Sequence, residues 1–397
     1  MKLLAVEDAR TRMLARTGSL SVETVPLARA LGRVLAADIV ATRDQPPFAA
    51  SAMDGWALRA ADTPGRLAIV GESAARRAFA GQVGPGEAVR IFTGAPLPAG
   101  ADAMVIQEEA VRDGAFVSVP ATTAQHFIRP AGLDFRAGET LLRAGTRLDA
   151  WRLALAAAAG RGEVATWRRP RVAVLATGEE IVAPGGAVRP DQIYDSGSTA
   201  LAALIASWGG EPNALAAAGD DEAAIAQAVG AAGGDLIVTI GGASVGDHDL
   251  VKPALARLGL QLEVESVAMR PGKPTWFGVL GDGRPVLGLP GNPASAMVCA
   301  ELFLRPLLLA LQGADPAWPL IGARTTRTIA ASGAREAWLR ARLDCRPSGE
   351  LAVTPFEDQD SSLVHVFAAA DSLIRRPAGA PAAEAGEVVE TLPLQRF

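Results

Sequence analysis

From Arg171 to Gly313 short apolar runs, each closing on a glycine turn, alternate with helical segments, and few folds accept that order. VAVLATG (172–178), DLIVTIGG (235–242) and PVLGLPG (285–291) are apolar along nearly their whole length, as strands covered on both faces must be. NALAAAG (213–219) reads as a further strand. STALAALIASWGG, DDEAAIAQAVGAAGG and DHDLVKPALARLGL carry the helical pattern, and the acidic first turn of the second suits the helix dipole. GNPASAMVCAELFLRPLLLALQG closes the series as a long helix with an expected kink at Pro306. Such alternation predicts a doubly wound parallel sheet.

The flanks read differently. The first 42 residues are expected to open on a helix, VEDARTRMLAR, turn at Thr17-Gly18-Ser19 and continue as a mixed segment; LDAWRLALAAAAGRGEV returns to a helical pattern, and the two stretches are assigned to one discontinuous helical domain, 1–42 with 140–169. Between them, RLAIVG, EAVRIFTG, DAMVIQEE and AFVSVP alternate with Gly/Pro turns, which predicts a mostly antiparallel β insertion over 43–139. The α/β domain then spans 170–314, and 315–397 is expected to form a C-terminal β-barrel-like domain. Four domains fit a chain of 397 residues.

The formal charge of −5 argues against a general nucleic-acid binder. The N-terminus has no signal-peptide apolar run, and Arg305 and Pro306 interrupt the most apolar stretch, so a soluble cytoplasmic protein with no membrane span is expected. Cys299 and Cys345 have neither a disulfide framework nor zinc spacing. Only Lys2, Lys252 and Lys273 are lysines, against an arginine-rich background, so each marks a position where a compact ammonium is wanted.

In an open parallel sheet, ligands bind outside the carboxyl ends of the strands. The loops there are Thr177-Gly178-Glu179-Glu180, Gly241-Gly242-Ala243-Ser244-Val245-Gly246-Asp247 and Pro290-Gly291-Asn292-Pro293. Any α/β domain needs glycine at such turns, but the second loop can also present several N–H groups beside the Ser244 hydroxyl, a nest suited to an oxyanion. It lacks the GK[ST] ending of a P-loop. In GNPAS, Asn292 is expected as an N-cap and Pro293 at the first helical position, with free N–H groups beyond, near Ser295. In MRPGKPT, prolines stiffen the segment and Gly272 lets it bend, projecting Arg270 and Lys273 as a cation pair for an anion. Glu179, Glu180, Asp195, Asp247 and Asp249 fall near the same sheet edge. Carboxylates so crowded repel unless a cation shares them or one is protonated, and hard oxygen ligands beside phosphate imply Mg²⁺; Asp249, and Asp195 before Ser196, can equally be helix caps. His248 reads as a surface or packing residue. Ser51, Met53, Asp54 and Gly55 lie on a proline-led loop that a simple turn also explains.

Taken in order, PPFAASAMDGWA, IFTGAPLPAGADAMVIQEE, IRPAGLDFRAGE, LATGEEI, IYDSGS, TIGGASVGDHD, MRPGKPT and GLPGNPAS resemble the motifs of the molybdopterin molybdenumtransferase family, which includes bacterial MoeA and the E domain of gephyrin. The resemblance covers nearly the full length. It implies insertion of molybdate into adenylylated molybdopterin with release of AMP, in an elongated homodimer whose clefts form between subunits. It assigns Asp54 as the essential acid of the MDG motif and Asp134 as a second motif acid. Arg270 and Lys273 match the basic pair, and Glu180, Asp247 and Asp249 the acidic positions expected to hold Mg²⁺. The remaining residues of these loops are expected to bind substrate: Thr177, Gly178, Asp195, Ser196, Gly241, Gly242, Ser244, Gly246, Pro271, Gly272, Pro290, Gly291, Asn292, Pro293 and Ser295. Expected partners are the molybdopterin adenylyltransferase and molybdoenzyme chaperones.

The chain departs from the family pattern at Ala49, Trp56, Glu179, Gly197 and His248. Two rival readings remain, a non-catalytic pterin-binding scaffold and a nucleotide pyrophosphate hydrolase. Retention of Asp54 and Lys273 favours the transferase over the first. The β insertion and C-terminal domain count against the second.

Overall fold

A computed structural model describes residues 3–178, 180–215, 221–241 and 250–394. The chain divides into two compact units, one of residues 1–23, 32–36 and 165–397, the other of 24–31 and 37–164.

The first unit is built on a six-stranded sheet in the order Glu211–Ala214, Arg171–Ala176, Leu236–Ile240, Pro285–Leu289, Trp276–Val279, Gln261–Val264. The first four strands are parallel. Trp276–Val279 is antiparallel to both its neighbours, so within the doubly wound parallel sheet one strand runs against the other five. The cause is local: Asp282-Gly283, with Gly283 at φ +88°, folds Trp276–Val279 back onto Pro285–Leu289 as a hairpin, and so short a link cannot make a parallel crossover. Side chains alternate across the sheet. Val172 and Val174 enter a core with Leu201, Ile205 and Leu302, whereas Ala173 and Leu175 enter another with Ile225, Val229 and Leu255.

The closing helical run is irregular one turn earlier than Pro306. Pro293–Cys299 and Arg305–Leu311 are α-helical, and a π turn, Ala300–Leu304, lies between them. Pro306 has no N–H to offer the carbonyl of Leu302, and the indole Nε1 of Trp318 donates to that oxygen instead (3.2 Å). The run Pro293–Leu311 is long and apolar enough to span a membrane by composition, but 89% of it is buried in this core.

Helix Val6–Ala15 places Val6, Ala9 and Met13 in the same core. The stretches 1–42 and 140–169 are therefore shared between the two units: the apolar stripe of the first helix has its complement on the α/β core, while helix Ala150–Ala158 belongs to the second unit. Residues 22–29, in the segment expected to be mixed, form a strand and a 3₁₀ turn.

In the C-terminal region a barrel closes through Glu336–Cys345, Leu351–Pro355, Ile321–Thr325, Val388–Pro393 and Ser372–Arg376, the last pairing back to the first. Ala341, Val353, Ile374 and Val389 fill its interior. Closure leaves no free sheet edge, and Met269–Arg270 adds in parallel beside Glu336–Ala337.

The second unit holds the sheet Ala103–Ile106, Gly55–Leu58, Glu87–Ile91, Gly65–Ser73, Phe116–Val119, Val111–Asp113. Its pairs are antiparallel except for Gly65–Ser73 beside Glu87–Ile91. Gly55–Leu58, within the stretch read as a loop, is a fully buried strand.

Candidate active site

A cavity of about 1040 Å³ opens at the carboxyl edge of the first unit's sheet. Described residues of the three expected loops meet there, the second represented by Gly241 alone. Thr177, Gly178, Glu180, Asp195, Ser196, Gly241, Arg270, Pro271, Gly272, Lys273, Pro290, Gly291, Asn292, Pro293 and Ser295 all line it. Gly242, Ser244, Gly246, Asp247 and Asp249 lie outside the described residues, as do Glu179 and His248.

Backbone bonding fixes the sheet-edge loops to one another. Thr177 N–H donates to Ile240 O (3.1 Å), and Gly241 N–H to Leu289 O (3.2 Å). Asp195 caps helix Ser196–Ser207 by accepting from Ser198 N–H (2.8 Å). Asn292 holds the N-cap position of helix Pro293–Cys299 but makes no side-chain cap bond, contrary to expectation. Its Nδ2 donates to Ser361 Oγ (2.8 Å), and Ser361 O accepts from Ala294 N–H (3.1 Å), so a loop of the barrel occupies that helix start.

Arg270 and Lys273 are exposed, both line the cavity, and among the described residues neither forms an ion pair. The turn that carries them is set from below. Gly272 has φ +108°, and a Cβ there would stand 2.3 Å from Cys299 Sγ, so no other residue fits. Thr275 Oγ1, fully buried, donates to Gly272 O (2.8 Å) and lies 3.1 Å from Cys299 Sγ. Burial pushes the Cys299 thiol up to about 12, so it stays protonated and serves as packing.

Several lining residues were not singled out as site residues from sequence. Lys252 lines the cavity with its Nζ 5.7 Å from the Trp276 ring, so two of the three lysines face one space. Their rarity was the signal. Tyr194, the single tyrosine, is there too. Arg335 and the segment Gln359–Ser362 come from the barrel, and no pattern in GAREAW or DQDSS marks them.

Among the described residues no three His, Cys, Asp or Glu side chains gather as a metal site. Glu180, whose carboxylate rests against Gly178, and Asp195 are carboxylates of the expected loops that line the cavity, which Glu265 and Asp360 line as well. Glu180 and Asp195 are hard oxygen donors, and Mg²⁺ commonly takes only one or two carboxylates, so the donor set fits that ion.

Asp54 belongs to the second unit, at the bend between Ala50–Ser51 and Gly55–Leu58. Its Oδ1 accepts from Thr93 N–H and from Thr93 Oγ1, each at 2.7 Å. The Thr93 backbone N–H first, then its hydroxyl, hold the Asp54 carboxyl below the usual carboxylate range, with Arg90 adding to this. Arg90 donates to Gly55 O (3.2 Å) and to Gln107 Oε1 (2.5 Å) and packs over Trp56 and Phe92. Gly55 is obligatory, since a Cβ there would lie 2.1 Å from Val105 O. Asp134 is exposed in the same unit, its N–H bonded to Gln45 O (2.9 Å). Thr93 was missed as a site residue although it stands inside IFTGAPLPAG.

Comparison with known proteins finds relatives along nearly the whole chain. Residues 4–160 match the model of the MoeA N-terminal region (domain I and II), 173–310 that of a probable molybdopterin binding domain, and 322–394 that of the MoeA C-terminal region (domain IV). The molybdopterin molybdenumtransferase of Synechococcus elongatus is 37% identical, with 98% of this chain and 99% of that protein covered. That of Haemophilus influenzae is 33% identical, with both chains fully covered. A crystal structure of the molybdopterin biosynthesis MoeA protein from Pyrococcus horikoshii superposes with a TM-score of 0.82 at 33% identity, covering 100% of each chain. The chain belongs to the MoeA family, whose curated members are molybdopterin molybdenumtransferases.

Proposed function

We propose that this protein inserts molybdate into adenylylated molybdopterin and releases AMP. The observation that carries the reading is the cavity at the sheet edge, where Arg270, Lys273, Lys252 and Arg335 converge. Both reactants are anions, and bringing them together in water costs repulsion. Cations fixed on stiff turns offset that charge without reorganising during the reaction. A volume near 1040 Å³ accommodates a pterin joined to a nucleotide.

Glu180, with Asp247 and Asp249, would hold Mg²⁺ in this reading, and Asp195 adds a further oxygen at the same wall. The chemistry such an ion supplies is polarisation of a phosphate oxygen. The chain's own residues do the rest. Arg270 and Lys273 bind and orient the oxyanion, and Asp54, kept ionised by Thr93 and supplied by either subunit, would position the metal or the attacking oxygen. The working form is a homodimer.

Changing Asp54 to Asn tests the assignment, because it keeps the shape and removes the charge. AMP release from adenylylated molybdopterin in the presence of molybdate should be abolished. Near-normal release would overturn the role of Asp54. Hydrolysis of ordinary nucleotides at a comparable rate would replace this reading with that of a pyrophosphate hydrolase.

A further inference from the structure

The segment Gln359–Ser362 reaches the cavity from the barrel, yet the side chain that holds it there is not part of the cavity wall. Arg340, within strand Glu336–Cys345, is fully buried. Its Nη1 donates to Asp360 O (2.9 Å) and its Nε to Gln359 Oε1 (3.3 Å). The backbone N–H of Arg340 donates to the same Oε1 (3.0 Å). Gln359 Nε2 donates in return to the carbonyls of Arg340 and Phe356, both at 2.9 Å. Immediately beyond this clamp, Ser361 accepts from Asn292 Nδ2 and from Ala294 N–H. Hydrogen bonds from a buried cation to Gln359 and Asp360, and from the adjoining Ser361 onward, thus link Arg340 through one peptide unit to the start of helix Pro293–Cys299.

Arg340 is poorly suited to stabilising the fold alone. Its Nη2 is buried without a partner, no carboxylate among the described residues pairs with it directly, and burial outweighs the favourable charges of Asp358 and Asp360. A buried charge in that condition is a cost that a well-packed apolar side chain would avoid. Its bonds go to one loop, and that loop forms one wall of the cavity.

We propose that Arg340 is a positioning residue: by clamping Gln359 and Asp360 it keeps Ser361 seated on Asn292 and Ala294, and so fixes the barrel-side wall against which the substrate lies. The proposal rests on the reading of the cavity given above. Without the clamp the wall loosens, while the cations and carboxylates elsewhere in the cavity stay in place. Binding therefore suffers more than turnover.

The test compares Arg340→Met, Arg340→Lys and Gln359→Met with the wild-type enzyme, by steady-state kinetics and by hydrogen exchange at the Ala294 amide. Loss of a hydrogen bond from a charged group predicts a KM for adenylylated molybdopterin raised about tenfold in Arg340→Met, with kcat near the wild-type value. Arg340→Lys, which can still donate to Asp360 O, should recover part of that loss. The Ala294 amide should exchange faster in Arg340→Met, while amides of strand Leu236–Ile240 keep their protection. A lowered melting temperature with unchanged KM and unchanged Ala294 exchange would show a structural role only and overturn the proposal. If Arg340→Met does not fold, Gln359→Met cuts the same clamp from the loop side and carries the same expectations. If the wild-type enzyme turns over no adenylylated molybdopterin, the functional reading fails, and Ala294 exchange still decides whether the clamp exists.

Discussion

The two charged groups central to the proposed reaction are held in opposite ways. Lys273 stands on a turn that is rigid from beneath, through Gly272, Thr275 and Cys299, while its own ammonium forms no ion pair among the described residues. Asp54 is gripped at the carboxylate itself, by two donors from Thr93. The difference follows from what each charge has to do. A cation meant for an incoming anion must stay unneutralised, so order is supplied through the backbone. A carboxylate that must remain ionised gains from donors placed on its oxygen. The two regions share one device, a glycine into which no side chain fits.

The largest effect should come from the lysine. Lys273→Ala should lower kcat/KM by roughly a hundredfold or more, measured as AMP release, because an anion loses a fixed cation in a partly desolvated site. A small change would mean that Arg270 alone suffices, and the comparison would break. Next, Gly272→Ala and Gly55→Ala should each destabilise the protein by about 3 kcal/mol in denaturant unfolding, from overpacking and, at Gly272, from its positive φ. Equal losses would show that both turns are equally confined. A smaller loss at Gly272 would show that Met269 and Cys299 can yield.

Thr275→Val probes the support beneath the cation. Loss of the bond to Gly272 O should cost about 1 kcal/mol of stability and raise KM, leaving the pH profile unchanged. Thr93→Val makes the converse test. It removes the hydroxyl donor but keeps the backbone one, so the Asp54 carboxyl rises toward its ordinary value. Since a depressed carboxylate is lost as pH falls through its folded pKa, the acid limb of the rate should move to higher pH in this variant. An acid limb that does not move would detach that limb from Asp54.

Much of the cavity was legible because glycine and proline at strand ends are demanded by backbone geometry, which one sequence displays directly. The loops at Thr177, Gly241 and Pro290 could be placed at one sheet edge without coordinates. The barrel's contribution could not. Arg335 stands just before strand Glu336–Cys345, Ser361 sits on a loop whose backbone Arg340 bonds at Asp360, and nothing local to DQDSS records that partnership. Asn292 shows the same limit: an N-cap sequence predicted a side-chain cap, but a tertiary hydrogen bond took the amide instead. The one antiparallel strand of the sheet was missed for a different reason. Its Asp282-Gly283 hairpin signal was present but was read within an alternating pattern that hid it.

The pairing of Met269–Arg270 with Glu336–Ala337 makes the turn that carries Arg270 and Lys273 a seam between the sheet and the barrel. Removing residues after Leu320 would expose unpaired backbone at the root of the cation turn and free Arg270 to swing. Grafting a foreign C-terminal module onto this scaffold would therefore succeed only if the graft restored the register Met269 to Glu336 and Arg270 to Ala337.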